Sequence, residues 1–117
     1  LPIQYAFSYP QRLKASFPRL DFKMCTNLTF EQPDTTRFRN LALAYEALHK
    51  GGNMPCIVNA ANEVVVAAFL QDEISFLGMS DVIEKAMSIV SFVAKPEYED
   101  YVATDAMTRR IAQELIK

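Results

Sequence analysis

Glycine is scarce in this chain, with three residues in 117. None of the three forms a Gly-x-Gly-x-x-Gly or Walker-type run, so the two common backbone cradles for a nucleotide phosphate are unsupported. Histidine occurs once and cysteine twice. Cys25 and Cys56 are far apart and make no Cys-x-x-Cys spacing. They read as free thiols packed as small hydrophobes rather than as a disulfide or a pair of metal ligands. No serine sits in a nucleophile-elbow context. Twelve Lys and Arg against fourteen Asp and Glu leave a net charge of −2, and the basic residues are scattered, so no stripe exists for a nucleic-acid backbone to follow. The longest apolar run, Val64 to Leu70, falls well short of the ~20 residues that span a bilayer. No charged-then-apolar leader precedes it. The chain opens at Leu1 with its first methionine at Met24. With no recognisable catalytic or cofactor-binding constellation, it is expected to be a piece of something larger, housed in a cytoplasmic compartment.

What is present is a globular composition: 50% hydrophobic and 22% charged residues, enough apolar matter for one core and too much for disorder. It is unevenly spread. Pro2, Pro10, Pro18 and Pro33 forbid a long helix in the first third of the chain, because each removes an amide donor and biases its predecessor to extended geometry. A helical turn around Ile3 to Phe7 and a brief strand at Leu28-Thr29-Phe30 are the local exceptions. Tyr5, Phe7, Tyr9, Phe17, Phe22 and Phe30 are too many rings for a free linker, and are expected to bury against a surface. Fully extended, Pro10 to Thr36 reaches up to about 90 Å, at about 3.3 Å per residue. A strap joining two separated bodies fits better than a compact loop.

Beyond the strap, periodicity predicts four helices. The first covers about Phe38 to Lys50, with Phe38, Leu41, Tyr45 and Leu48 as its inward stripe. Gly51-Gly52 stops it. His49 falls in its last turn, where a donor side chain answers unpaired carbonyls; a ligand or general-base role lacks a neighbour at metal-site spacing. Asn53 is the expected cap of a second helix, with Pro55 tolerated in its first turn and an end near Gln71. Its three consecutive valines favour strands, but about seventeen residues without a turn is too long for one. Apolar on every side after Glu63, it should be the central helix. Ser80 is expected to cap the third, with Val82, Ile83, Ala86, Met87 and Val90 inward. Thr104 or Asp105 should open the fourth, with Met107, Ile111 and Leu115 inward. Between these two, Lys95-Pro96-Glu97-Tyr98-Glu99-Asp100 reads as a solvated acidic loop, since it lacks the glycine and alternating oxygens of a calcium site. The expected fold is therefore mainly α: a four-helix bundle over residues 37–117, preceded by an extended, proline-interrupted segment over 1–36 with at most one or two short strands.

The sharpest polar feature is Asn59, Asn62 and Glu63, spaced three and four apart on one helix face. One reading makes Glu63 a metal ligand or general base with two amides orienting substrate oxygens, and His49 as a possible fourth member. The other is a buried structural network, paired with the strap backbone or with Arg109 or Arg110, because an unpartnered buried charge costs several kcal/mol. The structural reading is preferred, and no residue is assigned to catalysis, cofactor or metal.

The stretch Asn59-Ala60-Ala61-Asn62-Glu63-Val64-Val65-Val66-Ala67-Ala68-Phe69-Leu70 resembles a helix of the 1-deoxy-D-xylulose 5-phosphate reductoisomerases. So do Leu1-Pro2-Ile3-Gln4-Tyr5-Ala6, Leu20-Asp21-Phe22, Leu28-Thr29-Phe30-Glu31-Gln32-Pro33-Asp34 and Leu43-Ala44-Tyr45-Glu46-Ala47-Leu48, in the family's order. The likeness covers nearly the whole chain and weakens after Val90. It implies the connecting segment and C-terminal helical bundle of an enzyme whose NADPH-binding and central catalytic domains come earlier. The family's glycine-rich loop, acidic metal ligands and phosphate-binding residues precede the stretch represented here, so none is carried onto this sequence. The resemblance also implies a homodimeric cytoplasmic enzyme using NADPH and Mg²⁺ or Mn²⁺ to make 2-C-methyl-D-erythritol 4-phosphate for isoprenoids, and an isolated chain that is inactive. A free-standing helical interaction module is the alternative class.

Overall fold

The computed structural model of the chain describes residues 2–116, which contain five helices and no strand. Leu1 and Lys117, the outer limits of the two expected domains, lie outside the described residues. The chain divides into two units, Leu1–Gln32 and Pro33–Lys117.

The first unit opens with α1, Pro2–Ser8, the expected helical turn grown to seven residues. Its proline occupies a position where no intrahelical amide is needed. Tyr5 stacks edge-on with Tyr9, ring centroids 5.7 Å apart, and carries Arg12 on its face at 4.8 Å. The rest of the unit is turns and irregular chain. Two expectations fail here. Leu28-Thr29-Phe30 forms no strand, since a strand exists only against a paired edge and the described residues offer none. Phe7, Tyr9, Phe17, Phe22 and Phe30 are exposed, not buried, because so short a unit has no core of its own to receive them.

The second unit is the bundle: α2 (Arg39–Lys50), α3 (Met54–Leu70), α4 (Phe76–Ile89) and α5 (Tyr98–Ile116). α3 lies at the centre, in contact with α2, α4 and α5. Its apolar run is not enclosed on every side as expected: Val66, Ala67, Phe69 and Leu70 are exposed, because the helix is packed along one face, that of Ala61, Val65 and Ala68. Of its buried positions, Met54, Ile57, Ala61 and Val65 join Leu43, Val82, Ile83, Ala86 and Ala112 in one core. The inward set expected on α4 is buried as a whole.

Two helix starts differ from expectation. α4 begins at Phe76, because Ser75 in extended geometry accepts from the Gly78 amide at 3.1 Å. Ser80 lies inside the helix, where its hydroxyl donates back to Leu77 O at 2.8 Å. α5 begins at Tyr98, a turn and a half before Thr104. The Glu97 amide donates to Asp100 Oδ2 at 3.0 Å, and Glu99 and Asp100 sit in the positive first turn of the helix. Half of the supposed acidic loop is therefore helix.

Two faces also differ. On α2 the buried residues are Leu43 and Ala47, while Phe38, Tyr45 and Leu48 are exposed. On α5 they are Thr104, Thr108 and Ala112, while Met107 is exposed and Ile111 and Leu115 are half-buried. The cause is common to both. Small side chains such as Ala47, Thr104, Thr108 and Ala112 occupy the buried positions, where they permit close helix packing, and the large apolar residues are turned to the flanks.

Candidate functional site

The polar group on α3 sits on the surface of the second unit, which corrects the expectation of a buried network. Glu63 is exposed, at 54% of its side chain, because its helix turns this face toward the outer edge of α5. Asn59 Nδ2 donates to Glu63 Oε1 at 3.1 Å, and Arg109 Nη2 donates to Glu63 Oε2 at 2.7 Å. Asp105, one turn before Arg109, accepts from its Nε at 2.8 Å and its Nη2 at 3.1 Å. One guanidinium thus holds two carboxylates and ties α5 to α3. Of the two arginines weighed from sequence, the partner is Arg109; Arg110 turns toward Met107. Asn62 is half-buried on the neighbouring face. Asp105 was missed, although its spacing of four from Arg109 is a readable helix-pair signal.

This arrangement suits a clamp rather than chemistry. The hydrogen bond from Arg109, and after it the one from Asn59, holds the Glu63 carboxyl below its ordinary value. Bonds to Asp105 and then Glu63 raise Arg109 further. A carboxylate so held is a weak base, and its oxygens are already engaged. Because the charged form is favoured on folding, its contribution is present above the ordinary value of 4.5 and is lost as pH falls through the lower folded-state value. Glu63→Gln is accordingly expected to move the melting temperature at pH 7 by less than about 2 °C, as for an exposed ion pair, and to flatten the acid limb of a stability–pH curve. A drop above about 5 °C at pH 7 in thermal unfolding is outside what such a pair supplies.

A second polar group, which sequence reasoning read only as a cap, is fully buried. Asn53 precedes α3 but makes no side-chain capping bond. Its Nδ2 donates to Ser91 O and to Thr104 Oγ1, each at 3.0 Å. Its Oδ1 accepts from the Val93 amide at 2.9 Å, and its own amide donates to Val93 O at 3.0 Å. The α2–α3 corner, the α4–α5 connection and α5 meet on this one residue. Gly51 and Gly52, both at positive φ, make the corner tight enough for that.

The remaining candidates are dispersed. His49 ends α2 beside Lys50. Cys25 and Cys56 are free thiols; burial first, then the charge of Asp105, pushes the Cys56 thiol up, against the pull of Arg109. Among the described residues no group of three or more His, Cys, Asp and Glu side chains could hold a metal ion, and no helix is long and apolar enough to cross a membrane.

Comparison with known proteins identifies this helical arrangement. Residues 1–111 match the family model described as the DXP reductoisomerase C-terminal domain. The chain belongs to that family. It is 79% identical over 116 residues to a 1-deoxy-D-xylulose 5-phosphate reductoisomerase of Bacteroides fragilis, a match covering 99% of this chain and 30% of the relative. Among solved structures, the reductoisomerase of Zymomonas mobilis in complex with NADPH is 38% identical with a TM-score of 0.87, over 99% of this chain and 31% of that one. A reductoisomerase in complex with NADPH, fosmidomycin and magnesium is 29% identical with a TM-score of 0.88, over 98% and 30% respectively. The chain therefore spans about a third or less of the length of the family members it matches.

Proposed function

We propose that this chain acts as the C-terminal helical part of a 1-deoxy-D-xylulose 5-phosphate reductoisomerase and braces the catalytic region without supplying a reacting group. The observation that carries this reading is the 79% identity across 99% of the chain to only 30% of a named reductoisomerase. The division at Pro33 supports a strap followed by a bundle, and the exposed rings of the strap supply an apolar face for other parts of the enzyme. Asn59, Asn62 and Glu63 are structural in this reading. The complete enzyme reduces and rearranges its substrate with NADPH and Mg²⁺ or Mn²⁺, is a cytoplasmic homodimer, and holds its cofactors on the NADPH-binding and central catalytic domains.

The test is a turnover assay followed by NADPH absorbance. The purified chain, given 1-deoxy-D-xylulose 5-phosphate, NADPH and Mg²⁺, is expected to show no rate above the protein-free control. A chimera that carries this chain in place of the matching 30% of the Bacteroides fragilis relative is expected to turn over. Activity in the chain alone refutes the reading.

A further inference from the structure

Residues 1–32 carry four basic side chains, Arg12, Lys14, Arg19 and Lys23, and two acidic ones, Asp21 and Glu31. Both arginines, and no carboxylate, line a groove of ≈ 640 Å³ within the first unit. Tyr5 of α1 supplies one wall, and the irregular chain after it supplies Leu13, Phe17 and Leu20. These three apolar side chains are 61%, 69% and 69% exposed. The Arg12 guanidinium carbon lies 4.8 Å from the centroid of the Tyr5 ring, and a cation held on a ring keeps its N–H donors. Among the described residues neither Arg12 nor Arg19 has an ion-pair partner; the pairs that form belong to Arg39 and Arg109. Asp21, two residues from Arg19, has its Oδ1 engaged by the Lys23 amide at 2.9 Å.

Charge and surface together select the occupant. A guanidinium pairs with a carboxylate or a phosphate through a fork of N–H donors, so two of them without a counter-charge are matched to an anion. A free inorganic anion is strongly hydrated and gains nothing from apolar walls. A carboxylate on a polypeptide brings apolar side chains with it, and those cover Leu13, Phe17 and Leu20. Arginine and aromatic side chains are also the groups that carry most of the energy at protein contacts. The protein to which such a segment belongs is indicated by length, since this chain spans only 30% of its relative.

We propose that the groove of the first unit receives an acidic segment from the part of the reductoisomerase outside this chain. Carboxylates of the segment pair with Arg12 and Arg19, and its apolar side chains cover Phe17 and Leu20. This rests on the functional reading above and adds to it the contact surface and the chemistry of what docks there.

Hydrogen exchange of the α1 amides, read by mass spectrometry, tests it in the free chain and in the chimera. α1 is expected to exchange at least about tenfold more slowly in the chimera. Arg12→Glu and Arg19→Glu are each expected to speed α1 exchange in the chimera by about fivefold or more and to leave the free chain unchanged. Arg19, which stacks on no ring among the described residues, separates the loss of charge from the loss of the Tyr5 contact. Lys14→Glu makes the same charge change outside the groove lining and is expected to have less than about a twofold effect. Arg12→Lys adds an amine that a carbodiimide joins to a neighbouring carboxylate, and the chimera is expected to yield a cross-link from position 12 to an Asp or Glu outside this chain. A cross-link from position 12 only to residues 33–117 overturns the proposal, as does an effect of Lys14→Glu equal to that of the arginine variants. Slower α1 exchange in the free chain on adding inorganic phosphate assigns the groove to a small anion and also overturns it. Equal α1 exchange in the free chain and a chimera that turns over substrate overturns the groove assignment and leaves the functional reading standing. Turnover by the free chain overturns the functional reading itself.

Discussion

Asn53→Ala is expected to cost this chain about 3–5 kcal/mol, the range for breaking a buried hydrogen-bond network. The substitution removes one donor group and one acceptor that together serve Ser91 O, Thr104 Oγ1 and the Val93 amide. Water cannot readily replace them, because Asn53 and Thr104 are both buried. A domain of this size is stable by roughly 5–15 kcal/mol, so the variant keeps a large share of unfolded molecules on warming. Its melting temperature is expected to fall by about 10–20 °C. Asn53→Asp keeps the acceptor toward Val93 but turns a carboxylate oxygen toward the Ser91 carbonyl. It is expected to be at least as damaging at pH 7 and to recover partly on acidification, as the carboxyl protonates and can donate again. Thermal unfolding by circular dichroism at two pH values checks both; a shift below about 3 °C for Asn53→Ala contradicts the central place given to this residue.

The role of Asn53 was not legible in the sequence, and the reason is distance along the chain. Its partners lie 38 and 51 positions away, while a cap is a local signal, so position before the helix was readable and function was not. The same division runs through the fold. The central placement of α3 follows from its own composition, and the buried face of α4 from its own periodicity. The faces of α2 and α5 depend on what they approach. Taking the largest apolar residues as inward selected Tyr45, Leu48 and Met107, which are exposed. The close contacts belong to Ala47, Thr104, Thr108 and Ala112, whose small size is what allows the approach. Ser75 went unread as a cap because position N3 holds Gly78, so no capping box marks it. In the polar group on α3, the spacing of Asn59 and Glu63 was visible, but its exposure depends on where α5 ends up, and its charge partner Arg109, itself held by Asp105, belongs to that helix.

Gly52→Ala is expected to be nearly as destabilising as Asn53→Ala, for a steric reason one residue earlier. The φ of Gly52 is +57°, a conformation that already strains an L side chain by roughly 1 kcal/mol. A Cβ there falls on the carbonyl oxygen of Val93, well inside van der Waals contact, and 2.8 Å from Cε2 of Phe92. The Val93 oxygen is backbone and cannot swing aside, and it is the acceptor of the Asn53 amide at 3.0 Å. Relieving the clash therefore pulls the α2–α3 corner off the α4–α5 connection and loosens the Asn53 bonds as well. A cost of about 3–4 kcal/mol is expected, as for overpacking combined with lost buried hydrogen bonds. Gly51 is the control. It also has positive φ, +65° with ψ −148°, but a Cβ there meets nothing within 4 Å. Gly51→Ala should cost only the backbone strain, about 1–3 kcal/mol. Combining Gly52→Ala with Asn53→Ala should cost less than the sum of the two by at least about 1 kcal/mol, since the side-chain bonds that Asn53→Ala removes are ones that the Gly52→Ala clash has already loosened. Combining Gly51→Ala with Asn53→Ala should come closer to the sum. Denaturant unfolding of the three single and two double variants measures this directly. If Gly52→Ala is no worse than Gly51→Ala, and additive with Asn53→Ala, then the corner is held by backbone conformation alone and its contact with Val93 contributes little.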